Sequence, residues 1–534
     1  NRRCHAEFAG AASSHSSPEE IGETTINVLS VGLMRKLVIS VTVLGVCLSV
    51  TNAPLSAQSQ AWATPTQLTT VWMIGSFPDV ATDPAGITHV VWSSGDEDFD
   101  TVMYKSTVDG NSWSETNDIF AFRHNPGESY VTRPVLSINR QGDIYLGIHG
   151  VQDRQYLAST AYDVAAMPYA WRDLQMDTSG YHVIPLATDD GRVHVLYTSS
   201  SETNRVQRAL HLFYTQLDEN SLTWTDPVDI TLTSYLGTAK PTLLLDNRQV
   251  LHAIWESGLD GDRGYVVEPV SIMYANSRDQ GSNWTKPIRL DVKVDEDSLI
   301  EGRNPAIAVD GAGRLIATWW GMPSNQVYFR TSVDQGQTWS QPQPIPGVWG
   351  VGSSSTTRQD GFSMATDSSG KVHLVMVGRR ASEQPTVDVL HLEWNGAGWS
   401  LPATVASYNH NSQLPEWPRI SIGLGNHLHV VWHVRYASED GVVPTDTSFQ
   451  IWYNHRIVDS PRIEPEILPV SSISPPQAPP TPLPIPAPTL PTSKFLPVQI
   501  DSLHREPPAT SLLIPSIRTE NDEVILLAIA NLPV

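Results

Sequence analysis

Seven copies of one pattern occupy the middle of the chain. They read PDVATDPAGITHVVW, RPVLSINRQGDIYLGI, VIPLATDDGRVHVLY, PTLLLDNRQVLHAIW, PAIAVDGAGRLIATW, FSMATDSSGKVHLVM and PRISIGLGNHLHVVW. Their anchors are Pro78, Pro134, Val183, Pro241, Pro305, Phe362 and Pro418, a period of about 57 residues. Eight residues after each anchor stands Gly86, Gly142, Gly191, Gln249, Gly313, Gly370 or Asn426, mostly turn formers, with short β-rich runs on either side. Each copy therefore predicts a hairpin, with Pro opening the first strand where its missing N–H does least harm.

A second signature follows the hairpins. Ser/Thr-x-Asp-x-Gly-x-x-Trp is strict in SRDQGSNW (Ser277 to Trp284) and SVDQGQTW (Ser332 to Trp339). Degenerate copies end at Trp113 and Trp399, and looser ones at Trp171 and Trp224. The Asp accepts backbone N–H groups, the Gly takes a positive φ, and the Trp buries a large surface between neighbouring units. This gives the 17 Trp of the chain a structural use. The seventh unit has no such Trp after FQIWYNHRIV. Its missing strand stands at the other end, where WATPTQL (residues 62–68) matches WTDPVDI, WTKPIRL, WSQPQPI and WSLPATV. Residues 62–68 are expected to pair with the last unit and close a ring, which removes exposed sheet edges.

The fold expected is all-β, a seven-bladed β-propeller over residues 62–460, with six blades and one irregular unit as the alternative. The repeats and the Asp-Gly-Trp turns resemble the BNR/Asp-box propellers of the sialidase/neuraminidase superfamily over residues 62–458. That resemblance implies a secreted enzyme acting on glycans, an exo-glycoside hydrolase for a terminal sialic or other acidic sugar. It also implies three Arg gripping a carboxylate, an Asp acid/base, and a Tyr activated by a Glu. Sialidases are six-bladed, so seven repeats depart from the catalytic members. The same turns occur in non-catalytic propellers, which keeps open a glycan- or protein-binding module displayed at the cell surface. A polysaccharide lyase using Tyr or His is a third reading.

The site is expected in the loops at the end opposite the Asp-Gly-Trp turns. The family's Arg-Ile-Pro motif has its nearest match in Arg303-Asn304-Pro305. Arg133 precedes Pro134 directly, and Arg358 lies four positions before Phe362. These three would hold the carboxylate, with Trp349 and Trp417 stacking on sugar rings. Catalytic candidates from the same connections are Tyr130, Glu301, Asp360, Tyr408 and Glu416, with Tyr181 and Tyr235 as further tyrosines. Each competes with a plain reading as a solvated loop residue or as packing.

His89, His194, His252, His373 and His429 share one repeat position, eleven residues after the anchor. One histidine per blade is too dispersed for a single ion, so a repeated hydrogen bond in the second strand is the expectation, and no metal site is assigned. No cofactor is expected. Asp96-Glu97-Asp98 and Asp260-Gly261-Asp262 offer clustered oxygens of the kind Ca²⁺ favours, against the simpler reading of solvated acidic loops.

The net charge of −22 and the lack of a basic run exclude nucleic acid as a partner and leave a glycan or glycoconjugate. Among the cations Arg dominates, with seven Lys in all. Residues 34–61, with Arg35, Lys36 and an apolar run from Leu37 to Val50, match a secretory signal, too short for a membrane span. Residues 1–33 read as sequence upstream of the true start. Cys4 and Cys47 both fall before residue 62, so no disulfide is expected beyond it. Residues 461–494 are Pro-rich and read as an extended spacer; residues 495–534 form a short tail suited to surface attachment. A secreted monomer is expected.

Overall fold

The computed structural model describes residues 61–472 except 71–73, 96–97, 124–131, 151–153, 201–209, 233–235, 261–265, 293–300, 352–360 and 437–448. The expected signal segment, the residues before it and the tail lie outside the described residues, as do Tyr130, Tyr235, Arg358, Asp360 and most of the two acidic loops.

Seven antiparallel sheets follow one another along the chain, so the count is seven and not six. Their first strands are Ser76–Thr82, Val135–Ile138, Val183–Ala187, Gly237–Leu245, Glu301–Val309, Phe362–Thr366 and Gln413–Gly423. We number the blades 1 to 7 in that order. Each first strand packs on those of the two neighbouring blades, and the last packs on the first, so they form the inner wall of a closed ring. Within a blade the strands pair in chain order, through hairpins, to a fourth strand. In blade 7 the fourth strand is Thr66–Gln67, paired antiparallel with Phe449–Ile457 through Thr66–Tyr453 and Gln67–Trp452. Ala63 N–H to His455 O (3.1 Å) and Leu68 N–H to Ile451 O (2.8 Å) extend this junction. The chain thus closes its ring with its first described strand, as the WATPTQL match predicts.

The sheets hold together through seven apolar clusters, one between each pair of neighbouring blades. Strand alternation produces this. In blade 1, Val90 and Trp92 face blade 7 while Val91 faces blade 2. The shared histidines sit inside these sheets as expected. His89, His194, His252 and His429 each place Nδ1 2.7–2.8 Å from the hydroxyl of Tyr104, Tyr214, Tyr274 or Tyr453 on the third strand. His373 pairs instead with His391 at 2.9 Å. In blade 5 the two positions are Ile316 and Phe329, so the polar pair is replaced as a pair.

The tyrosine continues into the next blade. Trp113, Trp284 and Trp339 pack on Tyr453, Tyr214 and Tyr274 with ring centroids 4.7, 5.3 and 5.0 Å apart. The glycines of the same turns, Gly110, Gly281 and Gly336, have φ of +77°, +90° and +80° and lie against the same tyrosines. Asp109, Asp279 and Asp334 each fix their turn by accepting backbone N–H groups at 2.7–2.9 Å. Those bonds hold the Asp109 carboxyl down to about 2.

Residues 461–472, the described part of the expected spacer, lie along the turn end of the ring. Ile463 N–H reaches Leu424 O, Glu466 N–H reaches Pro84 O (both 2.8 Å), and Ser471 N–H reaches Asp163 Oδ2 (2.7 Å). The residues between its prolines retain N–H donors, and they are used here.

Candidate functional site

At the end of the ring opposite these turns, all seven first strands converge on one cavity of about 550 Å³ including its mouth. Its wall is the residue immediately before each repeat anchor: Phe77, Arg133, His182, Lys240, Asn304, Gly361 and Trp417. The anchors Pro134, Val183, Pro241, Pro305 and Phe362 and residues just after an anchor, such as Arg419, complete the lining.

Local backbone chemistry puts these side chains there. In blades 1, 4, 5 and 7 the pairing of first and second strand slips by one residue at this point. Phe77, Lys240, Asn304 and Trp417 occupy the slip with φ of +49°, +47°, +56° and +56°. The following Pro donates no N–H to the ladder, which suits an irregular strand opening, and the bulge re-aims the side chain preceding it. A positive φ in a non-glycine residue costs of order 1–3 kcal/mol and persists where its surroundings fix it. Two such fixings are visible. Phe77 N–H donates to His433 Nδ1 (3.2 Å), and Asn304 N–H donates to Glu256 Oε1 (2.6 Å). His433 and Glu256 hold the same repeat position, fifteen residues after Pro418 and Pro241.

Among the described residues the lining carries three cations, Arg133, Lys240 and Arg419, and no carboxylate. The carboxylates stand behind it. Arg419 stacks on Trp417 (4.4 Å to the ring centroid), and its Nε lies 3.7 Å from Asp79 Oδ1. Asp79 Oδ2 accepts Leu136 N–H (2.8 Å). Burial raises the Asp79 carboxyl, with Arg419 opposing, and burial lowers the Arg419 guanidinium, with Asp79 opposing. Lys240 Nζ lies 3.4 Å from Glu256 Oε1 and also donates to Asn304 Oδ1. Arg133 sits over Phe77 (5.1 Å) and beside Tyr181 (6.0 Å). Phe77 meets Trp417 edge-on at 5.0 Å, which makes one side of the cavity aromatic.

The sequence candidates divide accordingly. Arg133 and Trp417 line the cavity. Arg303 does not: its Nη1 turns toward Val266 O in blade 4 (3.4 Å), and the motif residue that reaches the cavity is Asn304. Neighbouring residues of a strand point to opposite faces, so a one-residue offset decides which is presented. Glu301 opens the same strand opposite Met322, outside the lining. Glu416, expected in a loop, is 1% exposed under Trp417, with Oε2 3.1 Å from His433 Nε2 and Oε1 accepting from Arg435 Nη2 (2.7 Å). Because His433 Nδ1 accepts from Phe77, its proton is on Nε2, facing Glu416. Glu416 thus supports the Phe77 bulge through His433. Tyr408 lies in the fourth strand of blade 6, packed against blade 7, where it accepts Trp432 Nε1–H (2.8 Å) and burial raises its hydroxyl. Trp349 ends the fourth strand of blade 5, exchanging backbone hydrogen bonds with Arg379 at 2.8–2.9 Å.

The sequence reading missed Lys240, Asn304, His182, Phe77, Gly361 and Arg419. Their signal was the position beside the anchor, read in register across all seven repeats. Among the described residues no group of three or more His, Cys, Asp or Glu is arranged to hold a metal ion. No helix among them is long and apolar enough to cross a membrane.

No family model and no curated protein matches the chain. Solved structures do. A protein of unknown function from Dyadobacter fermentans is 11% identical, with a TM-score of 0.42, over 74% of this chain and 99% of that one. A polysaccharide lyase described as an ulvan lyase is 12% identical, with a TM-score of 0.44, over 67% and 93%. The sialidase of Trypanosoma rangeli is 13% identical, with a TM-score of 0.36, over 71% of this chain and 53% of that one.

Proposed function

We propose that the axial cavity binds an acidic sugar of a glycan, and that the protein is a secreted glycan-acting propeller of exo-sialidase type. One observation carries the first part: in a chain with a net charge of −22, the described lining of the axial cavity has three cations and no carboxylate. Local charge of that sign favours a carboxylate, and Arg133 supplies a planar fork for one. Phe77 and Trp417, nearly buried beneath Arg133 and Arg419, back these cations with apolar packing. Hydrolysis would need a nucleophile and an acid at the mouth. Tyr130 and Asp360 are the sequence candidates for those roles, and Tyr181 stands beside Arg133.

A non-catalytic glycan-binding module is the second reading. It is favoured by the burial of Glu416 and Tyr408 and by the absence of a carboxylate among the described lining residues. Turnover of an umbelliferyl sialoside separates the two. Release of the fluorophore, lost in Arg133→Ala with an unchanged unfolding midpoint, supports the hydrolase. Retention of acidic glycans on an array without turnover supports the module. Failure of both, with neutral glycans retained equally, sinks the anionic-sugar reading.

A further inference from the structure

Glu256 stands out among the groups behind the cavity wall. It is 2% exposed, in the second strand of blade 4, and touches two neighbouring wall residues at once. Its Oε1 accepts Asn304 N–H at 2.6 Å, and the same oxygen lies 3.4 Å from Lys240 Nζ. Lys240 in turn donates to Asn304 Oδ1, which fixes the amide so that its Nδ2 is the group left to donate. The Lys240 side chain is 11% exposed, so little solvent competes for it. Both residues carry a positive φ, and neither is held by an ordinary ladder at that point.

We infer that Glu256 is a positioning residue that locks Lys240 and Asn304 into a two-donor edge of the cavity, selecting a ligand that presents a carboxylate there. This rests on the reading of the cavity as an acidic-sugar site. The edge offers an ammonium and an amide N–H₂ side by side, which a carboxylate accepts with one charged oxygen each; a neutral amide brings a single, uncharged acceptor oxygen to the same two donors. The Glu256 charge behind the edge has an opposing effect, since it repels the incoming carboxylate. Removal of the charge with retention of the acceptor therefore differs in sign from removal of both.

Calorimetric titration with D-glucuronate and with its uncharged isostere D-glucuronamide tests this. The wild type is expected to prefer the acid by about tenfold or more. Glu256→Leu releases both donors and loses most of that preference. Glu256→Gln keeps an acceptor for Asn304 N–H and raises the preference by about three- to tenfold, because one negative charge has gone. A purely structural role would move both variants in one direction together with the unfolding midpoint, and that result overturns the inference, as does an unchanged preference in both. A ligand-free measurement keeps the test independent of the cavity's function. The Asn304 amide proton, bonded to a carboxylate, is expected far downfield and to move upfield in Glu256→Gln. If it does not move, the positioning role falls even where the acid binds. If it moves but neither sugar binds the wild type, the acidic-sugar reading falls and the Glu256 contact stands.

Discussion

At the turn end of the ring one device is used again and again. Asp83, Asn139, Asp246, Asp310 and Asp367 occupy one repeat position, and each accepts backbone N–H groups of its own hairpin turn. At the cavity end one repeat position is filled by Phe, Arg, His, Lys, Asn, Gly and Trp, a different residue in every blade. At the turn end both backbone and side-chain chemistry recur; at the cavity end the side chains differ in every blade and the backbone slip recurs in blades 1, 4, 5 and 7. A repeated position answers to the backbone of its own turn, which is alike in these blades. A varied position faces the axis, where a ligand meets each blade from a different side. Substitutions at the repeated end should therefore act on stability, and those at the varied end on binding.

The largest effect expected concerns the buried imidazoles. Burial lowers His194 to about 4, and His391 and His429 go well below their ordinary value for the same reason, helped by neighbouring histidines. In the unfolded chain they take a proton near pH 6.5. The folded state refuses that proton until about pH 4 at His194, so stability is complete above pH 6.5 and drains away as the pH falls toward 4. Each such group contributes about 1.4 kcal/mol per pH unit within that window. Urea midpoints at pH 7, 5.5 and 4.5 should fall steeply, with a shallower slope in His194→Gln. A flat profile would mean that these imidazoles are not held neutral and that the comparison misplaces the stability.

The glycines of the turn end give the next test. In Gly336→Ala the new Cβ would lie 1.8 Å from the Tyr274 hydroxyl, at a φ of +80°. A loss of about 2–4 kcal/mol is expected from overpacking and backbone strain together. Gly281→Ala, against Tyr214, should behave alike. Chemical denaturation of the two variants checks this. A loss under about 1 kcal/mol would show that the blade interface yields easily.

Blade 5 supplies a third test, because its Ile316 and Phe329 replace the histidine–tyrosine pair together. Tyr274→Phe alone removes the partner of His252 Nδ1 and should cost about 1–3 kcal/mol. His252→Ile with Tyr274→Phe copies blade 5 and should recover at least half of that loss, giving a positive coupling in the double-mutant cycle. Additive losses would show that the pair is not a unit.

What the sequence reveals follows the same division. Blade count, ring closure through residues 62–68, the packing of Trp113, Trp284 and Trp339, and the hydrogen-bonding use of the shared histidines were legible because each recurs and so averages out accident. The cavity was not legible in that way. Arg303 and Asn304 are adjacent, and only the strand slip at Asn304 decides which one faces the axis. Glu416 reads as a loop carboxylate until its burial with His433 and Arg435 is seen. Glu256 and His433 act on the blade after their own, a contact no spacing within one repeat can display.

Gly361 separates the two ends most sharply, with the smallest expected effect on stability. It is the one wall position without a side chain, and its φ lies outside the left-handed region. A Cβ there would meet Arg419 Nη1 at 3.5 Å, the Trp417 Cα at 3.7 Å and the Pro418 Cδ at 3.9 Å, all ordinary contacts. The fold therefore does not require glycine, unlike the turn glycines at the other end. Space beside Arg419 and Trp417 is what its absent side chain leaves, and that space is where a sugar ring would lie against the aromatic side of the cavity. Gly361→Ala should change the unfolding free energy by no more than about 0.5 kcal/mol. Gly361→Leu should do little more to stability yet abolish D-glucuronate binding, because its branched end fills the notch. Binding that survives Gly361→Leu would place the ligand on the Lys240–Asn304 side alone and reduce the aromatic side to packing.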